Sequence, residues 1–180
     1  MSEVLIRNAV ATDIQSIVAM DHSTTSDYVW QFDLQEGGDQ IGATFREIRL
    51  PRSITVHYPK TRDSLVDNWN RHSKMIVSVL DNKVIGYVRI TDCINPETSW
   101  ITDLVVLPEF RRRGIGMTLI QAAQSWAFEQ QSLRVVIEMS AKNHPAISLV
   151  KKLGYEFCGY NDNYYATKDV AIFFGKIIRK

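Results

Sequence analysis

The chain has 180 residues, which fits one domain, or one domain with an insertion, at about 150 residues per domain. Hydrophobic residues make up 45% and charged residues 23%, so the composition predicts a folded core and argues against intrinsic disorder. The 21 Lys and Arg and the 20 Asp and Glu give a formal net charge of +1, which argues against a dedicated nucleic-acid-binding or polybasic membrane-binding protein.

Other sequence features argue against membrane, secreted and metal-binding classes. The longest apolar runs, such as Leu104–Leu107 and Val135–Ile137, have strand length, far below the roughly 18 residues of a membrane helix. No basic segment followed by an apolar one marks a secretory signal. The cysteines, Cys93 and Cys158, and the four histidines lack metal-ligand spacing. We therefore expect a cytoplasmic protein with reduced thiols, no membrane partner and no metal.

The N-terminal half predicts a strand, a helix and a long hairpin. Val4–Arg7 has the composition of a strand, and a side chain at position 12 or 13 can cap the helix that follows. Apolar alternation on both sides of Gly37-Gly38 predicts a β-hairpin, which we assign as an insertion at residues 29–60. Residues 64–72 are expected to form a short helix.

From residue 75 onward, short strands alternate with helices. One helix is predicted over Gly114–Gln130 from its apolar periodicity. The other is predicted over Pro145–Leu153, with Asn143 as N-cap and Gly154 as the C-terminal stop. The predicted strands are residues 75–80, 84–90, 100–107, 133–139, 155–160 and 171–178. This order predicts a mixed α/β domain.

The turn before the long helix combines three arginines with two glycines. Arg111-Arg112-Arg113 precede Gly114-Ile115-Gly116 at the helix start, where the first amides lack intrahelical acceptors and the helix dipole adds partial positive charge. Glycine also lets a ligand approach the backbone closely. The combination predicts an anion site suited to a pyrophosphate, although an ordinary strand–helix turn with solvated arginines fits the spacing equally. Neither a Walker loop nor GxGxxG is present.

Two segments resemble the GNAT family of N-acetyltransferases. The run Arg111–Gly116 fits the family signature (Q/R)-x-x-G-x-(G/A), and Asn143–Tyr155 is similar to N-x-x-A-x-x-x-Y-x-x-x-G-(F/Y). In the second segment the matching positions are Asn143, Ala146, Gly154 and Tyr155. Val150 stands where many members carry a tyrosine that protonates the leaving thiolate. The resemblance spans about residues 75–180, and is closest in motif to ribosomal-protein N-terminal acetyltransferases and, faintly, to streptothricin acetyltransferases.

The resemblance implies a GNAT fold, which is a mixed, mostly antiparallel sheet with a splayed parallel pair and flanking helices, here with an extra N-terminal hairpin. It implies one domain over residues 1–180, with an acetyl-CoA-binding core at 75–180. Acetyl-CoA would be the co-substrate, its pyrophosphate on the arginine-glycine loop and its pantetheine arm between the splayed strands. The expected acetyl-CoA-binding residues are Leu104, Val105, Val106, Arg111, Arg112, Arg113, Gly114, Ile115, Gly116, Met117 and Asn143.

Acetyl transfer to an amine needs a base more than an acid. Deprotonating a lysine-like amine at neutral pH costs about 4.6 kcal/mol, whereas expelling a thiolate costs about 2 kcal/mol. Glu138, in an otherwise apolar strand, matches the base of the ribosomal-protein acetyltransferases, and Asp103 in the neighbouring strand is the second candidate. We expect burial to raise either pKa; each carboxylate could instead accept structural hydrogen bonds. Tyr164, beside Tyr165, is the candidate acid.

The acceptor is expected to bind at the hairpin. Asp27, Tyr28 and Trp30 supply the carboxylate and aromatic groups that favour a cation, although a solvated hairpin edge with packing aromatics also explains them. The predicted reaction is direct transfer of acetyl to a primary amine, either of a small molecule or of a protein N-terminus. A non-catalytic acyl-CoA-binding or regulatory module is the alternative. The oligomeric state stays open, with a homodimer as one option.

Overall fold

The computed structural model of the chain describes residues 3–61, 65–66 and 73–179, and for residues 93–95 only the backbone. The strands are β1 (Leu5–Asn8), β2 (Thr24–Gly37), β3 (Gln40–Val56), β4 (Ser73–Leu80), β5 (Lys83–Asn95), β6 (Thr98–Val106), β7 (Arg134–Ser140), β8 (Glu156–Asn161) and β9 (Ala171–Ile177). The helices are α1 (Asp13–Ala19), α2 (Ile115–Glu129) and α3 (His144–Lys152). The helix expected at residues 64–72 lies outside the described residues except for Leu65 and Val66, which are helical.

One seven-stranded sheet organises the fold, in the order β1-β4-β5-β6-β7-β9-β8, while β2 and β3 pair only with each other among the described strands. Within the large sheet, β6 and β7 run parallel and every other described neighbouring pair is antiparallel. The predicted mixed sheet, its parallel pair and the separate hairpin are thereby confirmed.

Local sequence signals fix several of the element boundaries. Asp81 and Asn82 join β4 to β5 with φ values of 47° and 63°, which a two-residue hairpin turn of the I′ type requires. The Asn143 side chain accepts a hydrogen bond from the amide of Ala146 at 3.2 Å and so caps α3. Gly154, with φ of 77°, follows the end of α3. The predicted cap and stop of this helix are confirmed.

Helices cover both faces of the large sheet. On one face α2 and α3 pack onto the strands, and Ile115, Leu119 and Ala123 of α2 are buried there. On the other face Ile17 of α1 is fully buried against Tyr87 and its neighbours in β4 and β5. This double cover explains why the central strands are apolar on both sides.

The hairpin formed by β2 and β3 lies against the start of α3 and the edge strand β8. It spans residues 24–56, so it begins and ends earlier than the predicted 29–60. The backbone N–H of Trp30 donates to the carbonyl of Ala141 at 2.9 Å. Phe32 and Phe45 stack on Tyr160 with ring centroids 4.8 and 5.5 Å apart. These contacts attach the hairpin to the residues before α3 and to the edge strand β8.

Candidate active site

The two parallel strands separate halfway along their length. Their register runs from Thr98 opposite Arg134 to Ile101 opposite Ile137, and no further pair joins them among the described residues. Both strands nevertheless continue, β6 to Val106 and β7 to Ser140. The separation follows a bulge in β6, where one residue is inserted between the partners of β5. A gap therefore opens between residues 103–105 and 138–140.

A groove leads from this gap to the start of α2. Its volume is about 320 Å³, and a smaller pocket of about 90 Å³ occupies the gap itself. The two cavities share lining residues, namely His22, Thr24, Leu104, Val105, Asn143 and Ala146, so they meet. Of the expected acetyl-CoA-binding residues, the groove is lined by Leu104, Val105, Val106, Arg111, Arg112, Gly114, Ile115, Gly116, Met117 and Asn143. Arg113 lies outside its described lining, with its guanidinium 5.5 Å from the Phe110 ring centroid.

The start of α2 is open to this groove. Gly114 precedes the helix with φ of 85°, and no side chain caps the helix there. The amides of Ile115, Gly116 and Met117 have no carbonyl four residues earlier within the helix. A Cβ added at Gly114 would meet no heavy atom within 4 Å, whereas one at Gly116 would approach Leu149 Cδ2 at 3.2 Å. The geometry leaves amides without intrahelical acceptors beside the groove, at a position suited to a phosphate.

Arg111 is attached to the protein's own backbone. Its Nε donates to the carbonyl of Val106 at 2.7 Å, and Nη2 donates to the carbonyl of Ser23 at 2.7 Å. Burial lowers the pKa of this guanidinium. The group predicted to contact a pyrophosphate thus connects the end of β6 to the residues before β2, while Arg111 also lines the groove.

Glu138 is buried in the gap and bonded to groups from two other segments. Lys60 Nζ lies 2.6 Å from its Oε1. The Tyr164 hydroxyl donates to Oε2 at 3.1 Å. Partial burial and the Glu138 charge raise the pKa of Tyr164 to about 12. The structure therefore brings the predicted catalytic residues Glu138 and Tyr164 into contact and adds Lys60, which no sequence signal indicated.

Asp103 faces the same gap from β6 and is held in an ionic network. Arg89 Nε lies 3.0 Å from its Oδ2, Lys60 Nζ lies 3.6 Å from its Oδ1, and the Tyr58 hydroxyl donates to Oδ1. Burial by itself would raise the pKa of Asp103, but the charges of Lys60 and Arg89 and the hydrogen bonds from Tyr58 and Thr102 bring it below its ordinary value. The expectation of a raised pKa is wrong for Asp103, because two cations compensate the burial.

A second group of hydrogen-bonded polar side chains lies beside the gap. The Tyr87 hydroxyl lies 3.0 Å from His22 Nε2, and His22 Nδ1 lies 2.7 Å from the carbonyl of Met20. The rings of His22 and Tyr58 are 4.7 Å apart. No spacing signal marked these residues, because they come from three separate segments of the chain.

The three residues predicted to bind the acceptor lie elsewhere. Neither cavity includes Asp27, Tyr28 or Trp30 in its described lining. The Tyr28 ring packs on His144 at 4.9 Å, and Lys151 Nζ lies 4.8 Å from the Trp30 ring centroid. Each aromatic ring expected to meet a substrate cation is therefore packed against one of the protein's own side chains, and both residues are partly exposed.

In the described part of the chain, every helix is too short or too polar to cross a lipid bilayer. Within residues 3–61, 65–66 and 73–179, no group of three or more His, Cys, Asp and Glu side chains is arranged to hold a metal ion.

Comparisons with known proteins agree with this geometry. A family model described as "Acetyltransferase (GNAT) family" matches residues 43–155. A Bacillus subtilis protein assigned as a ribosomal protein bS18-alanine N-acetyltransferase is 32% identical over 109 residues, covering 59% of this chain and 71% of that protein. Streptothricin acetyltransferase of Streptomyces lavendulae is 26% identical over 164 residues, covering 88% and 85%.

Solved structures give the same result for the fold. Nourseothricin acetyltransferase has a TM-score of 0.82 at 26% identity, over 97% of this chain and 98% of that one. A Bacillus anthracis protein assigned as a streptothricin acetyltransferase, in complex with acetyl coenzyme A, has a TM-score of 0.75 at 21% identity, over 97% and 99%. The resemblance predicted from the two sequence motifs is confirmed.

Proposed function

Because this chain belongs to the acetyltransferase (GNAT) family, whose members are acetyl-CoA-dependent N-acetyltransferases, we propose that it acetylates a primary amine in the gap between β6 and β7. One observation carries the proposal: the strands separate beside the buried carboxylate of Glu138, and a groove leads from that point to an uncapped helix start. This arrangement suits a long, anionic thioester that enters along the groove and reacts at its inner end.

The groove supports a specific orientation of acetyl-CoA. The pyrophosphate would accept hydrogen bonds from the amides of residues 115–117, with Arg112 adding charge at the groove wall. The pantetheine arm would lie along residues 104–106, on the edge of β6 that faces away from β5 and has no described partner in β7. The thioester would then reach the pocket that Glu138 lines.

Glu138 is the proposed base. An amine arrives as its ammonium, and removing the proton at neutral pH costs about 4.6 kcal/mol, the larger of the two proton costs in the reaction. Glu138 lies in the gap, and its two oxygens face a cation and a phenol, so the carboxylate is held in one orientation. Asp103 is the weaker candidate, because the same network that lowers its pKa reduces its tendency to accept a proton.

We propose a role for Tyr164 that differs from the predicted one. Its hydroxyl hydrogen is used in the bond to Glu138, so we assign it to orienting the base rather than to protonating the thiolate. Val150 lines the pocket at the position of the family's tyrosine and offers no proton. The cost of expelling a thiolate is only about 2 kcal/mol, so the reaction tolerates the loss of a dedicated acid.

Charge in the gap is one guide to the acceptor class. The buried carboxylates Asp103 and Glu138 line the gap and are paired with Lys60 and Arg89, so a protonated amine would bind these oxygens in exchange for Lys60. The relatives act, by name, on a ribosomal-protein alanine and on streptothricin, so both a protein N-terminus and a small-molecule amine are candidates.

The test is an acetylation assay across both acceptor classes. The protein is incubated with acetyl-CoA and either peptides with a free N-terminus or small polycationic amines, and CoA release and acceptor mass are measured. N-acetylated product that requires both protein and acetyl-CoA is expected, and a peptide with a blocked N-terminus is the matched control. Tight acetyl-CoA binding without product across the panel would instead indicate the non-catalytic acyl-CoA-binding module.

A further inference from the structure

Lys60 occupies the place in the gap that the proposed reaction gives to the acceptor amine. It follows β3 by four residues, and its side chain is 21% exposed. Its Nζ lies 2.6 Å from Glu138 Oε1, 3.6 Å from Asp103 Oδ1, and donates to the carbonyl of Thr102 at 2.6 Å. These three oxygens are the acceptors that a bound substrate ammonium would meet.

The contacts distinguish Lys60 from other paired lysines. Lys83 lies 3.5 Å from Glu109 with 61% of its side chain exposed, and Lys142 pairs with Asp169 with 50% exposed. Only Lys60, among the described lysines, lines the pocket at the separation of β6 and β7. Its amine therefore adjoins both the proposed base and the space assigned to the thioester.

We propose that Lys60 is an acetylation site of this enzyme, modified by its own active site when no acceptor is bound. The proposal rests on the proposed function. Glu138 accepts a proton from the Lys60 ammonium, and the free amine attacks the thioester carbonyl, forming the amide C–N bond. The C–S bond breaks and the thiolate takes up a proton, so one lysine ammonium and one acetyl-CoA give acetyl-lysine, CoA thiol and one released proton.

Acetylation would change the electrostatics of the gap. The neutral amide removes one of the two cations that face Asp103 and the cation that faces Glu138. The acetyl group also stays in the pocket of about 90 Å³ where an acceptor must bind. The modified protein is therefore an inhibited form, produced under conditions of abundant acetyl-CoA and scarce acceptor.

The experiment uses purified full-length protein and acetyl-CoA without acceptor. Intact-mass measurement over time, followed by peptide mapping, is expected to show one acetyl group per chain, located at Lys60 and formed at least ~10-fold faster than at Lys83 because the amine is already positioned. Lys60→Arg keeps the charge and removes the reactive amine, so the single acetylation is lost. Lys83→Arg is the matched control and leaves it unchanged.

Two further arms identify the catalyst. Glu138→Gln is expected to slow Lys60 acetylation at least ~10-fold, since it removes the base. A Glu138→Gln chain mixed with wild-type protein should be acetylated at Lys60 no faster than the same variant alone, because the reaction occurs within one chain. Equal acetylation of all exposed lysines, or an unchanged rate in Glu138→Gln, would overturn the inference.

The inference can fail separately from the proposed function. If the amine panel is acetylated while Lys60 stays unmodified, the active site is correct and the self-modification is wrong. If neither the panel nor Lys60 is acetylated and acetyl-CoA does not bind, the proposed function itself fails.

Discussion

The two walls of the gap are built in different ways. The wall proposed to bind acetyl-CoA comes mainly from one stretch, in which β6 leads through the arginine-glycine loop into α2, and α3 and the residues around the start of β2 complete it. The wall proposed to meet the acceptor combines β7, the residues after β3, and Tyr164 before β9. The first wall depends on backbone amides, and the second on side chains that meet from distant parts of the chain.

This difference separates what the backbone of the fold can supply from what depends on individual side chains. A backbone cradle needs only a helix start and glycine at a position of positive φ, so many sequences can supply it. An acceptor site depends on individual side chains such as Lys60, and these can change without loss of the fold. Glu138 stands where the groove for acetyl-CoA meets the acceptor pocket. Its substitution is therefore the strongest test of the proposed division between the two walls.

The largest effect is expected from Glu138→Gln. The amide keeps the shape of the side chain but cannot take the ammonium proton, so kcat should fall about 10²- to 10⁴-fold while the acetyl-CoA Kd stays nearly constant. Steady-state rates and titration calorimetry measure the two quantities. Glu156→Gln, on the exposed strand β8, is the matched control. A wild-type rate in Glu138→Gln would remove Glu138 as the base.

Gly114→Glu should break the cradle alone. It places a carboxylate at the uncapped helix start, so acetyl-CoA affinity should fall about 100-fold, or about 2.7 kcal/mol. Calorimetry with CoA measures it, and far-ultraviolet circular dichroism checks the fold. Gly114→Ala carries the backbone strain of φ 85° without the charge and should keep the affinity within about 3-fold. Unchanged CoA binding in Gly114→Glu would disprove the cradle.

These two sites differ in how far sequence reasoning could reach them. Gly114, Asn143 and Gly154 were predictable because each acts within its own turn, by a cap, a stop or a left-handed φ. The anion site at one end of the groove was predictable from the same local run of arginines and glycines, Arg111–Gly116. The order of strands and the separation of the parallel pair came from the family resemblance, since pairing across the sheet leaves no local mark.

The acceptor side was not predictable in the same way. Lys60 approaches Glu138 across 78 positions of sequence, and no residue pattern specifies that contact. Trp30 and Tyr28 had the composition of a cation site, yet their faces pack on Lys151 and His144. Composition does not specify which faces of these rings pack inside the protein, because that depends on which side of the ribbon meets α3, and their role towards the acceptor stays a prediction.

Arg111 and Arg113 are expected to differ in how much each stabilises the fold. Arg111→Met removes hydrogen bonds to the carbonyls of Val106 and Ser23, so the free energy of unfolding should fall by about 1–3 kcal/mol. Arg113→Met, whose guanidinium lies against the Phe110 ring, should change it by less than about 1 kcal/mol. Urea denaturation measures both. Equal losses would show that Arg111 is an ordinary surface arginine.

The smallest expected effect comes from substituting Tyr164. The pH dependence of its contribution to stability tests whether the phenol is protonated in the folded protein. Partial burial and the Glu138 charge raise its pKa from 10.0 to about 12, so the folded state favours the protonated phenol. Its contribution to stability is full below pH 10 and is lost as pH rises towards 12, because the unfolded chain releases the proton first. The side chain is 42% exposed, so solvent screening keeps this contribution small.

Tyr164→Phe should therefore lower the free energy of unfolding by about 1 kcal/mol near pH 8, through loss of the bond to Glu138, and the difference from wild type should narrow above pH 10. The kcat of this variant should fall less than about 10-fold, since the base remains. Its pH–rate profile should show no additional loss of activity on the alkaline side below pH 10. Denaturation at several pH values and a pH–rate profile measure these effects. A difference in stability that widens above pH 10 would mean that the phenol ionises more easily in the folded protein, and the proposed orientation of Glu138 by a protonated Tyr164 would be wrong.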